Sequence, residues 1–201
     1  KYDTPVFLRL STRVSHSQGL VELCERDNVP LKDYVKNSPK NVMMPAYAIK
    51  RHVDVENRMR ALEEYAETAE INKEEINGGK IGVIASGIAY MYAKEALGDR
   101  VSYLKLGMVY PLPTKKIQDF AAKMDKVYVI EELDPFIEEH CRALGLEVEG
   151  KSLFPMEGEI SQDLVAERLG YPVPKGIEHV DEIPARPPVM CAGCPHRGLF
   201  Y

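Results

Sequence analysis

Ile81-Gly82-Val83-Ile84-Ala85-Ser86-Gly87 decides the fold: a short, almost unbroken apolar run that stops at a serine and a glycine. A run of this length flanked by turn residues is a strand buried on both faces, the kind found in parallel sheets. The next residues, Ile88 to Leu97, read as a helix stopped by Gly98, and the same unit then recurs. Val101 to Met108 is strand-like, and Tyr110-Pro111-Leu112-Pro113 stops it. Thr114 is placed to cap a helix whose Ile117, Phe120, Ala121 and Met124 share one face. Val127 to Ile130 forms a third strand ending in Glu131-Glu132. Asp134 as N-cap and Pro135 at the first helical position then open a helix that reaches Leu144 and Gly145. Further on, Ser161 caps Gln162 to Leu169, with Gly170 as the stop. Strands alternating with helices require crossover connections and therefore parallel pairing, with helices on both faces. Residues 79–171 are expected to form a three-layer α/β domain around a parallel sheet.

Outward from this domain the pattern loosens. Residues 5–12, rich in Val, Phe and Leu, predict a strand, followed by the polar run Ser11 to Gly19 as a loop. From about 20 to 45, Asn28, Pro30, Asn37, Pro39 and Pro45 interrupt any long element, which predicts a linker. Between Tyr47 and Ile71 an apolar stripe of Val55, Met59, Leu62, Ala66 and Ala69 predicts an amphipathic helix packed on the neighbouring domain. After Tyr171, prolines 172, 174, 184, 187 and 188 predict an extended connector that delivers the chain to Cys191-Ala192-Gly193-Cys194-Pro195-His196. A first residue that is lysine and a motif begun so close to Tyr201 suggest an internal segment of a longer polypeptide.

Composition narrows the function classes. The 201 residues are 45% hydrophobic and 28% charged with a net charge of -5. That balance offers no basic block for nucleic acid and no apolar run of bilayer length. A cytoplasmic location with no membrane partner is the expectation. Four cysteines are too few for a disulfide scaffold, and Cys24 and Cys141 read as small buried hydrophobes.

Four groups of residues bear on chemistry. Ser86-Gly87, where a strand meets a helix, suits either an anion or a helix cap, and the spacing lacks the glycines of a dinucleotide loop. Glu131, Glu132 and Asp134 fall at the carboxyl end of a strand, where ligands of open α/β sheets gather. An interface or structural role is preferred there over acid-base work. Arg9, Arg13 and His16 could meet a carboxylate or phosphate. Cys191 and Cys194 admit three uses: a redox pair, metal ligands completed from elsewhere, or part of a glycine-rich loop against a cofactor.

Several stretches together resemble the alpha subunits of the indolepyruvate:ferredoxin oxidoreductases, within the thiamine diphosphate-dependent 2-oxoacid oxidoreductases. They are Arg9-Leu10-Ser11-Thr12-Arg13-Val14-Ser15-His16-Ser17, Val129 to Glu139, the Gly158-Glu159-Ile160 turn, and Arg186 to Arg197. The resemblance implies oxidative decarboxylation of a 2-oxoacid to an acyl-CoA, with ferredoxin and a second oxidoreductase subunit as partners. It implies residues 1–20 as the end of a pyrimidine-binding domain and 21–78 as linker with helix. Residues 79–171 would be a transketolase C-terminal-like domain, and 172–201 a linker and the start of a diphosphate-binding domain. Arg13 and His16 would lie at the substrate and cofactor rim, Cys191, Gly193, Cys194 and His196 near the cofactor, and Glu131 and Glu132 at an interface. Thiamine diphosphate, Mg2+ and [4Fe-4S] clusters belong to the whole enzyme, with none expected in this chain alone. The Gly-Asp-Gly motif and ferredoxin-type cysteine runs are absent, and Pro195-His196 stands where such enzymes often have glycine. A stand-alone α/β binding or scaffold module and a Cys-x-x-Cys redox protein remain the alternatives.

Overall fold

The structure, a computed structural model, describes residues 2–176, 190 and 193–200, without the side chains of Arg13 and Phe200. Two short helices, α1 (Thr12–His16) and α2 (Ser38–Asn41), punctuate an otherwise irregular N-terminal arm. The long α3 (Pro45–Thr68) leads into β1 (Lys73–Glu75), and then come β2 (Ile81–Ser86), α4 (Gly87–Leu97) and β3 (Ser102–Leu106). The domain continues through α5 (Thr114–Ala121), β4 (Lys126–Ile130), α6 (Phe136–Ala143) and α7 (Gln162–Arg168). A last turn, α8 (Arg197–Phe200), follows the Cys-Pro-His motif.

The strands lie in the order β1-β3-β2-β4. β2 pairs in parallel with β3 on one side (Val83 opposite Tyr103) and with β4 on the other (Val83 opposite Tyr128). The chain thus steps from β2 to β3 and then crosses back over β2 to reach β4. That reversal places consecutive crossover helices on opposite faces. Alternation along the strands divides the core accordingly. Val83, Ala85, Tyr103 and Ile130 face α4 and α7, packing on Ala89, Ala93, Leu97 and Val165. Ile84, Leu104, Leu106 and Val129 face α5 and α6, packing on Ile117, Phe120, Ile137 and Cys141. Each such large side chain contributes roughly 1.5–3 kcal/mol by leaving water. The three-layer α/β expectation is met. At Gly82 the α5 layer comes so close that a Cβ would sit 2.9 Å from the Phe120 ring, which is why a glycine interrupts the apolar run.

Four local expectations differ from the structure. Residues 5–12 form no strand: among the described residues no neighbouring strand offers them a hydrogen-bond ladder. Val6, Phe7, Leu8 and Leu10 stay exposed, and Ser11 instead caps α1 by accepting from the Val14 amide at 3.3 Å. Ser86 occupies the N-cap position of α4 without a side-chain cap bond. Thr114 and Asp134 are not caps either: glutamates from outside the two helices do that work. Glu67 of α3 accepts from the amides of Lys115 and Lys116 at 2.8 and 2.7 Å, and Glu131 performs the same service for α6. Cys24 is exposed, whereas Cys141 is buried as expected.

The predicted stripe of α3 is the side that turns inward. Leu62, Ala66 and Ala69 are buried, while Val55 and Met59 are half-buried nearer the arm. Its far end is fastened by Asn72, only 2% exposed. The Asn72 amide donates to the Ala66 carbonyl at 2.9 Å, and its Oδ1 accepts from the Gly107 and Met108 amides, both at 2.9 Å. Lys116 Nζ donates to the Asn72 carbonyl at 2.8 Å. β1, antiparallel to β3, escaped prediction because Lys73-Glu74-Glu75 has no apolar side chain. Glu75 earns its place sideways, accepting from Tyr90 Oη at 2.8 Å and Lys94 Nζ at 3.0 Å. On the opposite edge, Glu149 bridges to β4: its carbonyl accepts from the Val129 amide at 2.9 Å and its amide donates to the Val127 carbonyl at 3.1 Å.

Candidate functional site

The reversal of strand order leaves a crevice outside the carboxyl ends of β2, β3 and β4, and a cleft of about 670 Å3 opens there. Ser86 and Gly87 form its floor at one end, Leu106 and Gly107 at the middle, and the β4–α6 loop from Glu131 to Asp134 at the other. The N-terminal arm supplies the remaining wall through Phe7 to Ser11 and Val14. Gly87 has φ +55, a conformation that an L side chain rarely adopts, so the turn into α4 depends on glycine there.

Three internal supports fix the β4–α6 loop. The Glu131 carboxylate turns away from solvent, 5% exposed, and accepts from the Ile137 and Glu138 amides at 2.8 and 2.9 Å. Burial pushes its pKa up, against the pull of those two amides and of Lys151. Lys151 Nζ donates to the Glu131 carbonyl, and burial lowers the pKa of that amine. Glu138, 1% exposed, pairs with Arg142 Nη2 at 2.6 Å and accepts from the Lys151 amide at 2.7 Å. Gly150 passes so near that a Cβ would stand 2.5 Å from that carboxylate. Behind them lies Cys141, whose thiol is pushed up to about 12 by burial and then by the charges of Glu131 and Glu138. It is therefore an inert thiol at neutral pH.

On this foundation sits an exposed crest. Leu133 has φ +62 while 56% exposed, a conformation that costs a non-glycine residue free energy and holds only where its surroundings enforce it. Glu132, beside it, faces Arg9 of the arm, with Oε2 3.9 Å from Nη2.

The structure thus brings together Ser86-Gly87, the acidic loop and Arg9, which sequence had treated separately. Glu131, expected at an interface, faces inward as a helix cap, whereas Glu132 faces the arm. α1 carries Arg13 and His16; Ser11 and Val14 of that segment line the cleft, and His16 is exposed without lining it. Cys191 lies outside the described residues. Gly193, Cys194 and His196 do not line the cleft; Cys194 Sγ is 3.3 Å from His196 Nδ1. Among the described residues no three His, Cys, Asp or Glu side chains gather as a metal would require. Cys194 and His196 thus do not by themselves make a set for Mg2+ or an iron-sulfur cluster, and no chemical step is derived through either. No described helix is long and apolar enough to cross a membrane.

Sequence reasoning missed Asn72, Glu67, Glu138 and Lys151. Each acts through backbone groups of residues far along the chain, which leaves no periodic trace.

No protein-family model matches the chain. Curated relatives do, over 100% of it: the indolepyruvate oxidoreductase subunit IorA of Archaeoglobus fulgidus at 36% identity and that of Methanothermobacter marburgensis at 37%. The same subunit from Pyrococcus abyssi is 32% identical. The chain spans 36% of the length of the Archaeoglobus subunit. A solved 2-oxoglutarate:ferredoxin oxidoreductase from Magnetococcus marinus, with 2-oxoglutarate, coenzyme A and succinyl-CoA bound, has the same fold. It superposes with a TM-score of 0.50 at 17% identity over 64% of this chain and 23% of that one. Along its whole length, the chain is similar to the corresponding part of the indolepyruvate oxidoreductase IorA subunits.

Proposed function

We propose that this chain forms the organising α/β portion of a thiamine diphosphate-dependent oxidoreductase that decarboxylates aryl 2-oxoacids of the indolepyruvate type to acyl-CoA and reduces ferredoxin. The observation that carries the reading is similarity to IorA subunits along the entire chain at 36% identity. In this reading residues 1–20 close a pyrimidine-binding domain, 21–78 connect, 79–171 are the transketolase C-terminal-like domain, and 172–201 lead to a diphosphate-binding domain. A second oxidoreductase subunit and ferredoxin are the partners, and the chain has no activity alone. Thiamine diphosphate would supply stabilisation of the carbanion left by CO2, and the iron-sulfur clusters the electron path.

What this chain's own residues do is hold geometry. Glu131, Glu138, Lys151 and Asn72 fix the floor and rim of the carboxyl-edge cleft, and Glu132 presents a charge towards a neighbouring domain. Arg13 and His16, on the segment that walls the cleft, would orient an oxoacid carboxylate. Cys191, Gly193, Cys194 and His196 would approach the cofactor. The test is anaerobic co-expression of the gene with a second oxidoreductase subunit, followed by indolepyruvate- and coenzyme A-dependent reduction of ferredoxin. Reduction dependent on both substrates is expected; an assembled complex that reduces ferredoxin with no aryl 2-oxoacid overturns the reading.

A further inference from the structure

Asn77-Gly78-Gly79 lies between β1 and β2 at the amino end of the sheet, and Asn77 is tied to the start of β3 through both its backbone and its side chain. The Asn77 amide donates to Ser102 Oγ at 3.1 Å, and Nδ2 donates to the Val101 carbonyl at 2.9 Å; Val101 and Ser102 are wholly buried. The turn lies so close that a Cβ at Gly79 would stand 2.8 Å from the Arg100 carbonyl oxygen. Every partner in this clasp belongs to the α/β domain itself. One residue along, the surroundings reverse. Gly78 has φ +73, a Cβ there would meet nothing within 4 Å, and its N–H donates to no backbone acceptor among the described residues. A carboxamide followed by an unhindered, unengaged glycine nitrogen is chemically set to close into a succinimide, a route by which asparagine is thermolabile.

We propose that Asn77 is a site of spontaneous deamidation, with water as the co-reactant, and that its two hydrogen bonds to the start of β3 are the gate. The Gly78 nitrogen gives up its proton and bonds to Asn77 Cγ; the Cγ–Nδ2 bond breaks, and ammonia leaves with that proton. Water then opens one of the two imide C–N bonds, leaving aspartate or iso-aspartate at the position, and nothing is oxidised or reduced. While the clasp is closed, the Val101 carbonyl holds the carboxamide and the Ser102 hydroxyl holds the backbone, so ring closure waits until the turn opens. Breaking two hydrogen bonds makes the open turn a minor state, roughly one chain in ten or fewer. Either product sets a carboxylate against the Val101 carbonyl, two acceptors with no proton between them, and iso-aspartate also lengthens the main chain between β1 and β2 by a methylene. The clasp therefore cannot close again once the amide is lost. None of this depends on the proposed reaction.

Lys73 and Lys80 flank the site, so trypsin releases it as the single peptide Glu74 to Lys80, whose mass gain reports the lost amide. The full-length polypeptide, co-expressed with its second subunit, is held at mildly alkaline pH beside the same synthetic peptide, and both are digested and weighed against unincubated samples. Deamidation in the folded protein is expected at about one-tenth of the peptide's rate or less. Ser102→Ala, with its fold verified by circular dichroism, should raise that rate several-fold. Urea below the unfolding transition tests the gate without a substitution: deamidation and hydrogen exchange of the Asn77 amide should rise together. Asn77→Asp and aged wild type should share a lowered urea midpoint. A folded protein that deamidates as fast as the peptide overturns the gate, as does a rate that stays constant in urea while the Asn77 amide exchanges faster. Fully unfolded protein that gains no mass at this peptide overturns the site. Ferredoxin reduction enters none of these readouts, so site and reaction fail separately.

Discussion

Replacing Glu131 tests whether a carboxylate at the end of β4 is a structural cap. Its two oxygens accept from consecutive amides at the start of α6, at 2.8 and 2.9 Å, in a setting where Glu131 is 5% exposed. Glu131→Ala leaves both amides buried and unpaired. A lost cap costs up to about 2 kcal/mol, and a buried orphan donor roughly 1–3 kcal/mol. Release of the buried charge returns part of this, because burial already strains the ionised form. A net loss of about 2–3 kcal/mol follows. For a domain of this size that is a fall in Tm of roughly 10–20 °C. Glu131→Gln keeps one acceptor and turns an NH2 towards the second amide, for about half the loss. The sign with pH is also fixed. A carboxyl whose folded pKa lies above its unfolded value stabilises when protonated, and loses that contribution as pH rises through the folded pKa. Wild type should therefore gain on Glu131→Gln as pH falls from neutral towards the ordinary carboxylate range. Urea denaturation followed by circular dichroism at several pH values reads all three quantities. Glu131→Ala within about 0.5 kcal/mol of wild type would refute the cap; a Glu131→Gln difference that shrinks on acidification would refute the burial argument.

Glu75 should behave in the opposite sense. Lys94 and Tyr90 hold its carboxyl down, from 4.5 to about 2, so its contribution is full above the ordinary value and is lost as pH falls between the two. Urea midpoints near pH 6 and pH 3 should draw apart in wild type and converge in Lys94→Met. Asn72→Leu strands the Met108 amide and the Ala66 carbonyl, while Gly107 keeps its bond to the Ile71 carbonyl at 3.1 Å. The expected loss is about 2–4 kcal/mol, with faster hydrogen exchange at Met108 measured by NMR. Gly82→Ala drives a methyl to within 2.8 Å of Met124 Cγ and 2.9 Å of the Phe120 ring, which should cost about 1–3 kcal/mol in a urea melt. An unchanged midpoint there would mean that α5 shifts freely on the sheet.

Most of the α/β domain was legible because its signals are local. Ile81 to Ser86, Ser102 to Leu106 and Lys126 to Ile130 carry runs of apolar residues that only buried strands use, and glycines 98, 145 and 170 mark helix ends at positive φ. Ser161 announced its own helix by capping Leu164 at 3.2 Å. What escaped was supplied at a distance. β1 is a strand because β3 and Lys94 hold it, not because Lys73-Glu74-Glu75 prefers extension. Thr114 and Asp134 looked like caps since their types and positions fit, but Glu67 and Glu131 reach the same amides with two oxygens each. Residues 5–12 had a strand's composition, but among the described residues no strand lies beside them. At the site, the acidic cluster was visible in sequence, whereas the inward turn of Glu131, the outward turn of Glu132 and the approach of Arg9 are tertiary facts.

The two borders of the sheet bear on how this molecule can associate. An unpaired border strand is a template onto which another chain can add, and many assemblies and aggregates begin that way. Here one border is the three-residue, fully charged β1, and the other is covered by the bridge from Glu149. Neither invites strand addition. A partner must therefore recognise side chains rather than complete a backbone ladder, which makes association selective for surface chemistry and leaves the sheet itself a closed unit.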